Sequence, residues 1–232
     1  MLIEGNVFDI LPTLGVFDCL IADPPDNIGL QYNGYKDKIA NDDYAQFLYS
    51  CLECFSSHAG ISWVSYNAKH TWLMGNLVDS FLLEHTGFEA KPFVQTFTFG
   101  QNRSEDCGNG HRPIVRIKHK DAPLYPDQIR IPSWRLLNGD PRACPDGKVP
   151  LDVWDFPRVT GNSKQRRPWC PTQLHEGLVE RMVKMSTREG GSVCDAFSGS
   201  GTTLRVCHAI GRDCTSIEID SEYCKKIREE NL

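Results

Sequence analysis

The chain has 232 residues, 40% of them hydrophobic and 24% charged, with 25 Lys and Arg against 30 Asp and Glu for a formal net charge of −5. That length suits one large domain with its own core, and the composition excludes a low-complexity or uniformly basic polyanion-coating chain. No run approaches the roughly 18 apolar residues that cross a bilayer, and the opening MLIEGNVFD has no basic segment followed by an apolar one, so a soluble intracellular protein is expected.

In chain order, Met1 to Glu4 and Phe17 to Ala22 read as short buried strands, with one short helix between them in Val7 to Leu14. The second strand runs into Asp23-Pro24-Pro25-Asp26. Two prolines at a strand end force extended backbone without N–H donors, so the Asp23 carboxylate and the carbonyl oxygens are left as acceptors. Such a set suits an exocyclic amine of a nucleobase, whose lone pair is delocalised into the ring until both of its N–H bonds are held by acceptors. Taken alone, an Asp capping a Pro-Pro turn explains the segment equally well.

Helical spacing predicts a helix from Asp42 to Cys54, capped by Asp42 or Asp43, and another from Lys69 to His85. Gly60 to Ser65, Ala90 to Phe99 and Ile114 to Lys118 read as strands, the second of them as a pair or one long strand. Between Pro113 and Pro171 lie eight further prolines and the turn pairs Asn138-Gly139, Asp140-Pro141 and Asp146-Gly147. A loop-rich stretch of this length inside a compact domain is usually functional. Residues 101–170 hold 13 Lys and Arg against 8 Asp and Glu, which leaves 12 against 22 for the rest of the chain. The pattern is a polyanion-facing region on an acidic scaffold.

Regular structure resumes with a helix over Thr172 to Ser186, then the strand and loop VCDAFSGSGTT (Val193 to Thr203), a helix, a strand over Thr215 to Ile219 and a final helix over Glu222 to Glu230. A strand ending in Asp195, glycines at 199 and 201 and a helix opening at Thr202 form a cofactor site of the nucleotide type, with Glu218 at the next strand end, about 20 residues on, as the ribose acceptor and Asp220 as its substitute. Phe197 beside the loop is either core or the surface on which an adenine ring packs. Gly201 is followed by Thr202 and Thr203 and not by Lys-Ser, which argues against triphosphate hydrolysis.

The ten cysteines are scattered and read as free thiols. Cys51, Cys54 and His58 share one helical face without a second pair to complete four ligands, so no metal is expected. No Pro-Cys dipeptide occurs, which removes the usual nucleophile for carbon-5 methylation of cytosine.

These segments, in this order, resemble the permuted β group of DNA amino-methyltransferases that use S-adenosylmethionine: DPPD at 23–26, a basic insertion, CPTQ at 170–173, DAFSGSGTT at 195–203 and IEID at 217–220. The resemblance spans nearly the whole chain. It implies an α/β, circularly permuted Rossmann-like fold with a seven-stranded, mostly parallel sheet, one antiparallel strand and flanking helices, as a single domain carrying a target-recognition insertion at about 119–165. It further implies Asp23, Pro24, Pro25 and Asp26 as catalytic residues, and Asp195, Phe197, Gly199, Gly201, Thr202, Glu218, Pro171 and Gln173 as the cofactor site. Asn6, Tyr32, Tyr35, Arg130, Arg135, Arg142, Lys164, Arg166 and Arg167 are the candidates to meet nucleic acid.

Four positions depart from the family pattern: Asn6 for an aspartate, Cys170 for a histidine, Leu174 for a frequent lysine, and Asp26 for the aromatic ring that stacks on the flipped base, a role left to Tyr32 or Tyr35. Asp at the head of the catalytic segment resembles the adenine-N6 subset more than the cytosine-N4 subset. RNA methylation and a non-catalytic cofactor- or DNA-binding subunit are the alternatives. The expected partners are double-stranded DNA and a cognate restriction endonuclease, in the cytoplasm of a bacterium or phage-infected host.

Overall fold

The computed structural model describes residues 1–33, 37–101 and 104–230. One sheet runs through them, in the order β1 (Leu2–Glu4), β8 (Asp213–Glu218), β7 (Ser192–Asp195), β2 (Phe17–Ala22), β3 (Ala59–Ser65), β5 (Asn109–His119), β4 (Phe88–Gln101) and β6 (Val153–Asp155). The pairs β1–β8, β8–β7, β7–β2, β2–β3 and β4–β6 are parallel, whereas β5 is antiparallel to both its neighbours. The single reversed strand matches the expectation. The eighth strand is an addition, a three-residue edge contributed by the proline-rich segment.

Circular order is visible in the first pairing. Leu2, Ile3 and Glu4 lie beside Ser216, Ile217 and Glu218, so the N-terminal strand completes the sheet next to the last one. Parallel strands buried on both faces need apolar side chains in both directions, and β2 supplies them alternately. Leu20 and Ala22 face a core built from α2 (Asn41–His58) and α3 (Thr71–Glu84), with Leu48, Leu52, Phe55, Met74 and Phe81. Cys19 and Ile21 face the other core, where α5 (Glu176–Ser186) and α6 (Thr202–Ala209) pack Leu178, Met182 and Val206 against Trp63, Phe93 and Trp154. The Trp63 indole N–H donates to Ser186 Oγ at 2.8 Å, which satisfies the one polar atom of a fully buried ring.

Element starts differ from the sequence reading for local reasons. In α2 the cap position is Ala40, and Asp42 and Asp43 lie inside the first turn, where their charge complements the helix dipole. The helix expected from Thr172 begins at Glu176, because the preceding residues wrap along a cavity and His175 caps the Gly177 N–H at 3.1 Å. Lys69 and His70 belong to a 3₁₀ turn capped by Asn67 ahead of α3. Between Val7 and Leu14 there are two short pieces, α1 (Val7–Ile10) and a 3₁₀ turn over Leu11–Thr13. Ala90 to Phe99 falls within one long strand, β4. The Pro-rich region holds little regular structure beyond α4 (Trp134–Leu137) and β6.

Candidate methyl-transfer site

The carboxyl ends of β2, β7 and β8 open onto one cavity of about 500 Å³, within the range of small-molecule sites. The glycine loop forms its floor. Gly199 and Gly201 have φ of +51° and +72°, left-handed values that favour glycine, and a side chain on Gly201 would also meet Ile227 at 3.2 Å. Glu218 braces this loop: one carboxylate oxygen accepts the Gly199 N–H at 2.6 Å and the other the Asp220 N–H at 2.9 Å. Thr202 lines the wall, with its hydroxyl 2.9 Å from that of Ser200. Phe8, Phe47 and Phe197 supply an apolar side, and Phe197 meets Phe47 edge-on at 6.2 Å.

Charge defines the cavity. Asp23, Asp195, Glu218 and Asp220 line it, and among the described residues no lysine, arginine or histidine does. Such a wall attracts a cationic ligand and repels the phosphates of a dinucleotide or triphosphate. Two residues that line it carry a buried oxygen, Ser198 Oγ and Asp220 Oδ2, with no hydrogen-bond partner among the described residues. Burial pushes the Asp195 carboxyl up to about 7, against the opposing pull of the Thr203 hydroxyl and the Phe197 N–H.

Asp23 lines the same cavity, with Pro25 and Tyr32. The Pro25 carbonyl accepts from Tyr44 Oη at 2.9 Å and the Asp26 carbonyl lies 2.8 Å from His70 Nε2. Of the three carbonyls after Asp23, that of Pro24 is left without a partner among the described residues. Burial raises the Asp23 carboxyl above its ordinary value, and Arg112 opposes the rise. The loop that follows is folded on Asp37, a buried carboxylate that accepts the N–H groups of Asn27 (2.7 Å), Ile28 (3.2 Å) and Leu30 (2.9 Å). It brings Tyr32 to Thr172, hydroxyl to hydroxyl at 3.4 Å, and Asn33 to Asp220.

Several expected site residues sit elsewhere. Asp26 is buried, does not line the cavity, and pairs with Arg112, so it offers no surface to a base. Pro24 is buried. Gly201 shapes the loop without lining the cavity. Pro171 is exposed while its neighbours Cys170 and Thr172 line the wall. The Gln173 side chain lines the cavity but spends its amide on the Arg167 N–H and the Gln165 carbonyl. Asn6 lines it too and caps α1 through the Phe8 N–H at 3.0 Å. Arg166 holds the Cys170 carbonyl and Arg167 is paired with Glu230, so both brace this segment. Arg130 is paired with Asp127 and Arg142 with Asp140, and Arg135 and Lys164 are exposed. Tyr35 lies outside the described residues.

All ten cysteines are free thiols; Cys51 packs in the core and the His58 ring lies 2.8 Å from the Cys54 carbonyl. Burial pushes the Cys170 thiol, the one that lines the cavity, up to about 12, which makes it a poor nucleophile. Arg112, Ser65 and Asp37 were not legible as site residues in the sequence. Each reaches the catalytic segment from a distant position or across a loop.

Residues 17–229 match the family described as DNA methylase, of the N6/N4 type. The chain is 30% identical to the Type II methyltransferase M.HpaI of Haemophilus parainfluenzae, over 98% of this chain and 73% of that protein. It is 29% identical to the DNA adenine methyltransferase YhdJ of Escherichia coli, over 90% and 74%. Among solved structures, the M1.HpyAVI–SAM complex superposes with a TM-score of 0.72 at 19% identity, covering 100% of this chain and 99% of that one. The cytosine-N4-specific PvuII DNA methyltransferase gives 0.75 at 14%, covering 100% and 86%.

Proposed function

The chain belongs to the family of N6/N4 DNA methylases, and from that premise we propose that it methylates the exocyclic N6 of adenine at specific sites in double-stranded DNA, by direct displacement after base flipping. S-adenosylmethionine is the cofactor, and when bound it supplies a methyl group on a sulfonium that departs as a neutral thioether. The four-carboxylate cavity, with Asp23 as one of the four, is the observation that carries the reading, because it unites a cation site with an amine acceptor.

Within it, Asp195 would hold the cofactor's positive charge, Glu218 and Asp220 its ribose hydroxyls, and the phenylalanine wall its adenine. Asp23 and the Pro24 carbonyl accept the two N–H groups of the target amine. That pairing would localise the nitrogen lone pair for the methyl group that the bound cofactor would supply with loss of a neutral thioether, and Asp23 would take the released proton. Tyr32 supplies the ring that position 26 lacks, a contact worth about 1–3 kcal/mol per stacked base. The basic segment 119–165 is the target-recognition insertion, with Arg135, Arg142 and Lys164 toward phosphates. A cognate restriction endonuclease fits as the functional partner, and a bacterial cytoplasm as the location. Among the described residues no helix is long and apolar enough to cross a membrane.

The Asp195 carboxyl gives this reading a pH dependence. A proton on Asp195 competes with a cationic ligand, so S-adenosylmethionine affinity is expected to fall about tenfold between pH 8 and pH 6 as pH drops through the raised value near 7. Calorimetric titration across that range checks it, and Asp195→Asn is expected to bind weakly with a flat profile.

Expression in a methylation-deficient bacterial host followed by single-molecule sequencing tests the target. N6-methyladenine in one sequence context is the expected signature; N4-methylcytosine would move the reaction to the other amine of the family.

A further inference from the structure

Arg112 opens toward the catalytic segment from β5, and every nitrogen of its guanidinium is engaged. Nη1 and Nη2 hold Asp26 in a two-point contact at 3.0 and 3.1 Å, Nη2 also reaches Asp23 Oδ1 at 2.5 Å, and Nε donates to Ser65 Oγ at 2.9 Å. The Ser65 hydroxyl in turn donates to the same Asp23 oxygen. Oδ1 therefore takes both contacts, while Oδ2 accepts nothing from the described residues. The strands fix this arrangement. Ser65 ends β3 beside β2, and Arg112 lies two residues beyond Ile114, the β5 partner of Ser65.

We propose that Arg112 is a positioning residue for methyl transfer: gripped by Asp26, it anchors one oxygen of Asp23 and leaves the other to accept the target amine. This deepens the role proposed for Asp23 and rests on it. Asp26, at the position where the family resemblance places a stacking ring, then serves Arg112 and not the base.

The charge balance supplies the reason for two acids. Arg112 with Asp23 alone would form a closed pair that competes with the amine for the carboxylate. With Asp26 sharing the guanidinium, the trio keeps one net negative charge at Asp23. The other titratable groups facing this cluster are Asp195, Asp37, Tyr32, Tyr44, Cys170 and His70.

The test is a cycle of Arg112→Ala, Asp26→Asn and the double variant, read by single-turnover methylation of DNA from pH 5.5 to 8.5, with S-adenosylmethionine affinity as the control. Arg112→Ala is expected to lower the rate at neutral pH on the order of 100-fold. It should also move the acidic limb of the profile up by about one unit or more, because two carboxylates then share a site without a counter-charge. Asp26→Asn should lower the rate and move that limb down. The double variant should recover part of the activity lost in Arg112→Ala, with cofactor affinity unchanged throughout. Unmoved limbs in both single variants, or a double variant no better than Arg112→Ala, would overturn the proposal.

Thermal melts give a readout free of turnover. Tm of Arg112→Ala should fall more steeply than that of the wild type as pH rises from about 4, the ordinary carboxylate value, to about 8, since an acid raised in the folded state destabilises the fold as pH rises, and the double variant should remove the excess slope. If the wild type leaves DNA unmethylated, the proposed function fails and the melts alone decide: no extra slope in Arg112→Ala overturns the charge balance.

Discussion

Replacing Asp23 with alanine is expected to lower the methyl-transfer rate by about a thousandfold or more, the scale of losing a charged partner aimed at charge that develops in the transition state, while S-adenosylmethionine binds within a few-fold of wild type. The division follows from position. Asp23 lines the cavity from the end of β2, with Pro25 and Tyr32, whereas Glu218 braces the glycine loop and Asp195 ends β7. In the proposed reaction, loss of the carboxylate would leave the Pro24 carbonyl to hold one N–H of the amine, with no acceptor for the other or for the released proton. Asp23→Asn is the sharper comparison, because the amide oxygen still accepts but the charge is gone. Rapid-quench single-turnover assays beside calorimetry separate the two quantities. Equal losses of rate and of cofactor binding would mean that Asp23 shapes the cavity and not the reaction.

Asp37→Ala is expected to have the second-largest effect, although Asp37 does not line the cavity. Its carboxylate is buried and accepts three consecutive-loop N–H groups. Each donor left without a partner costs about 1–3 kcal/mol, less whatever entering water restores. The loop from Asn27 to Leu30 should therefore leave its present path, taking Tyr32 away from Thr172. Transfer is expected to fall on the order of a hundredfold through lost positioning, with global stability reduced less than the loop itself. Hydrogen exchange reads this directly: the amides of Asn27, Ile28 and Leu30 should lose protection while those of β2 and β7 keep theirs. Uniform loss would indicate that Asp37 supports the whole fold.

Legibility followed the range of the interactions. The glycine loop, Asp195 and Glu218 stood out because a strand, a loop and a helix start lie within 11 residues of chain, and the chemistry of each is set by its neighbours. The strand ending at Asp23 was equally plain. What Asp26 does was not, since its partner is 86 residues away and reaches it only because β3 and β5 pair antiparallel. Arg112 looked like one more charge in a basic stretch. Nor does a charge count show that Arg166 holds the Cys170 carbonyl and that Arg167 pairs with Glu230 in the fold. The helix start at 172 was misplaced because periodicity continues through residues whose backbone is claimed by a cavity wall and a cap.

The central claim is transfer of a methyl group to an exocyclic amine of DNA. Mass spectrometry of nucleosides from unmethylated DNA incubated with the purified protein and isotope-labelled S-adenosylmethionine tests it most directly. Labelled N6-methyladenine, with no label on carbon 5 of cytosine, is the predicted result. A protein that binds the cofactor and leaves every DNA base unlabelled would contradict it.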